Sequence, residues 1–249
     1  MRNIFFIVLT LIGSISMQTV AQSFETATEA VKNMRIGWNL GNTLESNSGD
    51  TLNMWIEHWT DRSPSKYETA WGQPVVNPAL FQMLKQAGFN AVRVPVTWYP
   101  HMEATFQFKG SDNNVWYPWK DPLGTQIQQT WINRVHQVVD YVISQGMYCI
   151  LNVHHDTGAA NTAWLIADEK VYNQQRQRFE AIWQQIAEEF RDYDEHLLFE
   201  GYNEMLDSKR SWCFASFGAN GRMQRRRTDC RRRARRGRVR PNRRAPRHP

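Results

Sequence analysis

Three cysteines in 249 residues are too few for a disulfide framework. Cys149, Cys213 and Cys230 also match no zinc-ligand spacing, so neither a stapled scaffold nor a structural zinc domain is expected. Cys149 stands in an apolar run and reads as a buried core residue; Cys213 and Cys230 are the pair that oxidation could join. Long hydrophobic runs are equally scarce. The extended one, residues 4–15, follows Arg2 and precedes Thr19-Val20-Ala21, a small-residue cleavage pattern. Residues 1–21 therefore read as a secretory signal peptide, too short and wrongly flanked for a membrane anchor. No cysteine follows directly to carry a lipid. A secreted protein, extracellular or periplasmic and without membrane attachment, is expected.

Acidic residues are almost missing from one segment. Residues 222–249 hold 14 of the 30 basic residues and one of the 24 acidic ones, and half of that segment is arginine. It cannot bury a core and is expected to be disordered. The remainder carries 16 basic against 23 acidic residues, a net of −7, so the formal charge of +6 belongs to the tail alone. An arginine-rich tail can mark a nucleic-acid arm. Behind an export leader and an acidic body, a nucleic-acid partner is not expected here. Out-of-frame translation of GC-rich DNA yields Arg, Pro, Ala and Gly, and residues 219–249 are read as such an artefact. Residues 22–218 form the expected folded part.

That part alternates helix and strand. Residues 77–87 read as a short helix stopped by Gly88. Residues 126–145 place Ile127, Trp131, Val135, Val138, Val139 and Val142 at helical spacing, with Gly146 closing the helix. Residues 171–190 do the same through Phe179, Ile182, Trp183, Ile186 and Phe190. Each helix precedes an apolar run (89–96, 147–153, 197–202), which argues for a parallel sheet covered on both faces. Four segments, 34–41, 90–95, 148–155 and 197–204, end in polar groups. Long aromatic-rich loops, 46–76 and 97–125, lie between strand and helix and suit an extended ligand.

The residues at those four ends carry a resemblance. Gly37-Trp38-Asn39-Leu40-Gly41-Asn42-Thr43-Leu44-Glu45, Val92-Arg93-Val94-Pro95-Val96-Thr97-Trp98, Leu151-Asn152-Val153-His154-His155 and Phe199-Glu200-Gly201-Tyr202-Asn203-Glu204 resemble glycoside hydrolase family 5. Within it they are most similar to bacterial endoglucanases that cut β-1,4-glucans. The resemblance covers roughly residues 30 to 217. It implies a (β/α)8 TIM barrel of class α/β, truncated here to about four βα units, with the active site at the strands' carboxyl ends. It further implies a β-glucan polysaccharide substrate, retaining cleavage and no cofactor.

Carried over position by position, the resemblance makes Glu204 the general acid/base. Asn203 would hold the 2-hydroxyl of the sugar being cleaved, and His154 would face the substrate with His155 nearby. Asn39 and Glu45 match positions binding the next sugar. Arg93 would keep a nucleophilic carboxylate ionised; a structural ion pair with Glu200 is the alternative, because a charge inside an apolar strand needs a partner. Trp98 either stacks on a sugar or packs under its loop. His154 and His155 could suggest a metal, but adjacent strand residues point to opposite sides and no third ligand is near, so no metal site is expected.

The resembling family places its nucleophilic Glu on the seventh strand, beyond the point where this chain leaves the pattern, after Phe217. Glu200 is not expected to substitute: four strand residues separate it from Glu204 by about 13 Å, whereas retaining cleavage needs carboxylates about 5 to 5.5 Å apart. Four units would leave two open sheet edges, so the chain is expected to fold poorly alone or to associate. A non-catalytic glucan-binding half-barrel and a basic nucleic-acid binder are the other function classes.

Overall fold

The computed structural model describes residues 24–50, 54–61, 63–102 and 124–209; the leader, Cys213, Cys230 and the arginine-rich segment lie outside the described residues. Six α-helices occur among them: α1 (Ala27–Asn33), α2 (Trp55–Thr60), α3 (Pro64–Thr69), α4 (Pro78–Gln86), α5 (Gln129–Ile143) and α6 (Tyr172–Glu189). Each apolar run contributes one strand: β1 (Gly37–Asn39), β2 (Ala91–Val94), β3 (Tyr148–Asn152) and β4 (Leu197–Glu200). The strands pair in parallel in chain order, with Asn39 opposite Arg93, Val94 opposite Leu151 and Asn152 opposite Glu200. Parallel neighbours need long crossovers, supplied by α4, α5 and α6. The result is a partial α/β barrel.

Helix ends follow local chemistry. Asn77 caps α4 by accepting from the Ala79 N–H, and Pro78 takes the first helical position, where its missing donor costs nothing. Gly88 and Gly146 follow α4 and α5 at φ 92° and 60°, a left-handed conformation that strains any side chain. The stripe Trp131, Ile132, Val135, Val138, Val139 and Val142 of α5 is buried, packing with Val92, Val94, Cys149 and Leu151 in one core. Burying each such side chain is worth about 1.5–3 kcal/mol.

Three expectations change. Ile127 lies before α5, paired in an isolated bridge with Met102. The loop after β1 folds into α2 and α3, whose few turns fall below the length at which helical spacing is legible. Strand β4 stops at Glu200, so Asn203 and Glu204 stand on the following loop and the extended-strand estimate of 13 Å does not apply; the Asn203 N–H still donates to the Val153 carbonyl at 2.9 Å. Helix α1, capped by a reciprocal Thr26–Glu29 box, was not read from sequence. As expected, the described sheet has open edges: β1 pairs only with β2, and β4 only with β3.

The loops above β2 and β3 are joined through Asp156, which is fully buried. Its carboxylate accepts from the Trp98 N–H (2.8 Å), the Tyr99 N–H (2.9 Å) and the Trp164 indole N–H (2.7 Å). Asp156→Ala strands three buried donors, each costing about 1–3 kcal/mol when unmet. With relaxation, a loss of about 2–3 kcal/mol is expected in denaturant unfolding, and less for Asp156→Asn, which keeps an acceptor. Equal midpoints for all three proteins would contradict this role.

Candidate active site

The carboxyl ends of the strands converge on one guanidinium. Arg93 leaves β2 beside Asn39 and donates through Nε to Glu200 Oε2 and through Nη2 to Glu200 Oε1, both at 2.6 Å. Nη2 also reaches Asn203 Oδ1 at 2.9 Å, and Nη1 reaches Asn39 Oδ1 at 3.2 Å. One side chain thus ties β1, β2 and β4 together. The bidentate bond to Glu200 raises the Arg93 pKa. Burial pushes Glu200 upward, but the hydrogen bonds and charge of Arg93 prevail and hold its carboxyl below the usual range. The structure therefore contains the Arg93–Glu200 ion pair. Gly41 leaves room for this arrangement, since a Cβ there would come within 2.9 Å of Asn39 Nδ2.

Glu204 stands next to Asn203, exposed, with no hydrogen-bond partner among the described residues. His154 is set by Asn152, a buried residue that sequence reading quoted but gave no role. The Val96 N–H donates to Asn152 Oδ1 at 3.2 Å. That fixes the amide so that Nδ2 faces His154 Nδ1 at 3.0 Å. The imidazole proton then sits on Nε2, free to donate to a ligand. His155 lies against His154, ring centroids 4.6 Å apart and near-perpendicular, and against Trp71 at 5.6 Å. The opposite-faces argument for the histidines fails because β3 ends at Asn152, before the alternation reaches them. Among the described residues no group of three or more His, Cys, Asp or Glu could hold a metal ion.

Glu45, expected to contact a sugar, and Trp98, left open between stacking and packing, are both turned inward. Trp98 is completely buried and donates its indole N–H to the Asn152 carbonyl at 3.0 Å, so its ring packs under the loop and offers no platform. Glu45 is 4% exposed. Its carboxylate accepts from the Asn42 and Thr43 N–H groups, holding a turn in which Asn42 has φ 62°. Desolvation raises the Glu45 pKa despite those bonds. Asp156 and Trp71 were missed: neither carries a signal in sequence, because their roles depend on partners far along the chain.

Burial lowers the His154 pKa to about 3, helped by His155 and Arg93, and lowers that of His155 to about 4. The ordinary value is 6.5, so between pH 6.5 and 4 the unfolded chain binds protons that the folded chain refuses. Stability from this pair is complete above pH 6.5 and is lost on acidification. Asp156, raised to about 6 by burial, works in the opposite direction over the same range. A single-site difference isolates the effect. His154→Gln is expected to remove about one proton from the uptake on unfolding at pH 5, about 1.4 kcal/mol per pH unit of slope. Calorimetry in buffers of differing ionisation enthalpy measures it; unchanged uptake would contradict it.

Parallel strands with polar groups converging at their carboxyl ends define an α/β-barrel type of enzyme site. The sequence model of the cellulase family, glycosyl hydrolase family 5, matches residues 55–231, and the chain belongs to that family. It is 38% identical over 179 residues to cellulase/esterase CelE of Acetivibrio thermocellus, covering 72% of this chain and 17% of that protein. It is 37% identical over 196 residues to endoglucanase B of Neocallimastix patriciarum, covering 79% and 34%. Among solved structures, a GH5-4 broad specificity endoglucanase from an uncultured bacterium is 50% identical, with a TM-score of 0.65 over 82% of this chain and 48% of that one. A family 5 enzyme from Prevotella bryantii B14, in complex with a xyloglucan tetradecasaccharide, is 41% identical, with a TM-score of 0.64 over 78% and 48%. The chain spans about half the length of these solved relatives and less of the two whole proteins.

Proposed function

We propose that this chain carries the acid/base half of a secreted, retaining endo-β-1,4-glucanase acting on cellulose or a related β-glucan. Glu204 protonates the leaving glycosidic oxygen and then activates water. Asn203, its Oδ1 held by Arg93, donates from Nδ2 to the 2-hydroxyl, and His154 donates from Nε2 to a neighbouring hydroxyl. The observation that carries this reading is the guanidinium of Arg93, which draws Asn39, Glu200 and Asn203 into one polar cluster next to Glu204, a carboxylate with no hydrogen-bond partner among the described residues.

The nucleophile is a second carboxylate, on a strand beyond the four described, in a complete eight-unit barrel. Four of the five guanidinium N–H groups are engaged here. The fifth, on Nη1, has no partner among the described residues and would keep that carboxylate ionised. Arginine so placed lowers a carboxylate pKa by charge and hydrogen bonding together. The relatives' names, endoglucanase and cellulase among them, support the substrate class.

The test is a chain carried on through the remaining strands in the reading frame of residues 30–217. It is expected to release reducing ends from barley β-glucan and from xyloglucan, with the β-anomer appearing first. Hydrolysis with inversion would refute the retaining mechanism, and no hydrolysis of any β-1,4-glucan would refute the substrate class.

A further inference from the structure

Trp71 lies just after α3, on the loop that leads to α4. The indole N–H groups of Trp98, Trp164 and Trp183 donate to the Asn152 carbonyl, Asp156 and the Gly201 carbonyl. Trp71 is half-buried, packs one side on the core, and its indole N–H has no partner among the described residues. Its ring stands edge-on to His155, next in line to His154. Through Gln73 and Pro74 the same loop lines a cavity of about 400 Å³ with Trp38 and Gly41, at the end of β1. The loop therefore passes near the end of β1 and, through the contact of Trp71 with His155, near the end of β3.

A buried ion pair holds the loop there. Glu68, on α3, is fully buried and accepts from Arg134 of α5 at 2.7 and 2.9 Å. Glu68 also accepts from the Val76 N–H at 2.8 Å, and Arg134 donates to the Val76 carbonyl at 2.7 Å. Residues 68 and 76 are thus pinned to one helix, with Trp71 on the short span between them. Such a pair costs desolvation and stabilises little against an apolar substitute, but it fixes geometry.

We propose that Trp71 is a sugar-stacking platform of the glucan-binding face, held against His155 by the Glu68–Arg134 pair. The axial C–H face of a β-linked glucose ring is apolar and matches the indole surface, while the free N–H can meet a hydroxyl. The inference rests on the glucan reading above and names a contact within it.

Calorimetric titration of the full chain with cellotetraose tests it. Trp71→Ala is expected to weaken binding on the order of tenfold, and Trp71→Phe to retain most of the affinity. Trp59→Ala, which removes an exposed indole on α2, is expected to change nothing. In the unmutated chain the Trp71 indole N–H resonance is expected to shift when cellotetraose is added. If the unmutated chain does not bind cellotetraose, this inference fails, while the glucan reading stands or falls on hydrolysis by the chain carried on through the remaining strands. If it binds and Trp71→Ala binds equally well, or the resonance does not move, only the platform is overturned. Equal losses from Trp59→Ala and Trp71→Ala would also overturn it.

Discussion

Replacing Glu204 by Gln in the completed barrel is expected to lower kcat/KM on unactivated β-glucan about 10³-fold, the scale of general acid catalysis. The neighbouring geometry should survive, because the Glu204 side chain makes no hydrogen bond among the described residues and stands exposed. The loss therefore belongs to chemistry rather than folding. Substrates with different leaving groups separate the two halves of the reaction. An aryl cellobioside whose phenol departs without a proton needs no acid in the first step, so its kcat/KM should stay near the parent value. Its kcat should drop, because water must still be activated in the second step. Azide needs no general base, and adding it should restore kcat while yielding the β-azide. A Gln variant that hydrolyses glucan at the parent rate, or that azide cannot rescue, would remove Glu204 from the acid/base role.

The frame of the fold was legible because its cause is local. Val92 and Val94 flank Arg93 in an apolar strand, and a charge there demands an anion; Glu200 meets it at 2.6 Å. The valines of α5 recur at helical spacing and all face the core. The inward turn of Glu45 was not legible, and that of Trp98 was legible only as one of two alternatives. Each follows a strand in a polar loop, and each orientation is decided elsewhere: Trp98 by a carbonyl on β3 and by Asp156, Glu45 by the left-handed turn at Asn42. The histidine pair shows the same limit. Alternation across a strand holds only while the strand lasts, and β3 ends two residues before His154. Trp71 needed a contact between α3 and α5, 66 residues apart in sequence, before it could be placed.

Arg93→Met is expected to be the most damaging change to the described cluster. It removes four hydrogen bonds at once and leaves Glu200 facing an apolar side chain. Breaking a buried ion pair costs about 3–5 kcal/mol. Here the side chains are 27% and 31% exposed, so water recovers part of that loss and about 2–3 kcal/mol is expected. Lysine should not rescue it, because one ammonium cannot reach Asn39, Glu200 and Asn203 in the planar fork that guanidinium provides. Adding Glu200→Gln to Arg93→Met should return part of the stability, since the stranded charge is then gone. The sign with pH follows from Glu200. Its carboxyl is held below the ordinary 4.5 in the folded chain, so the pair stabilises fully above that value. Its contribution disappears as pH falls through the lowered one. The gap between parent and Arg93→Met should therefore narrow in acid. Denaturant midpoints at pH 7 and pH 3 measure it. A gap that widens in acid, or a lysine variant as stable as the parent, would show that the guanidinium does not organise these strand ends.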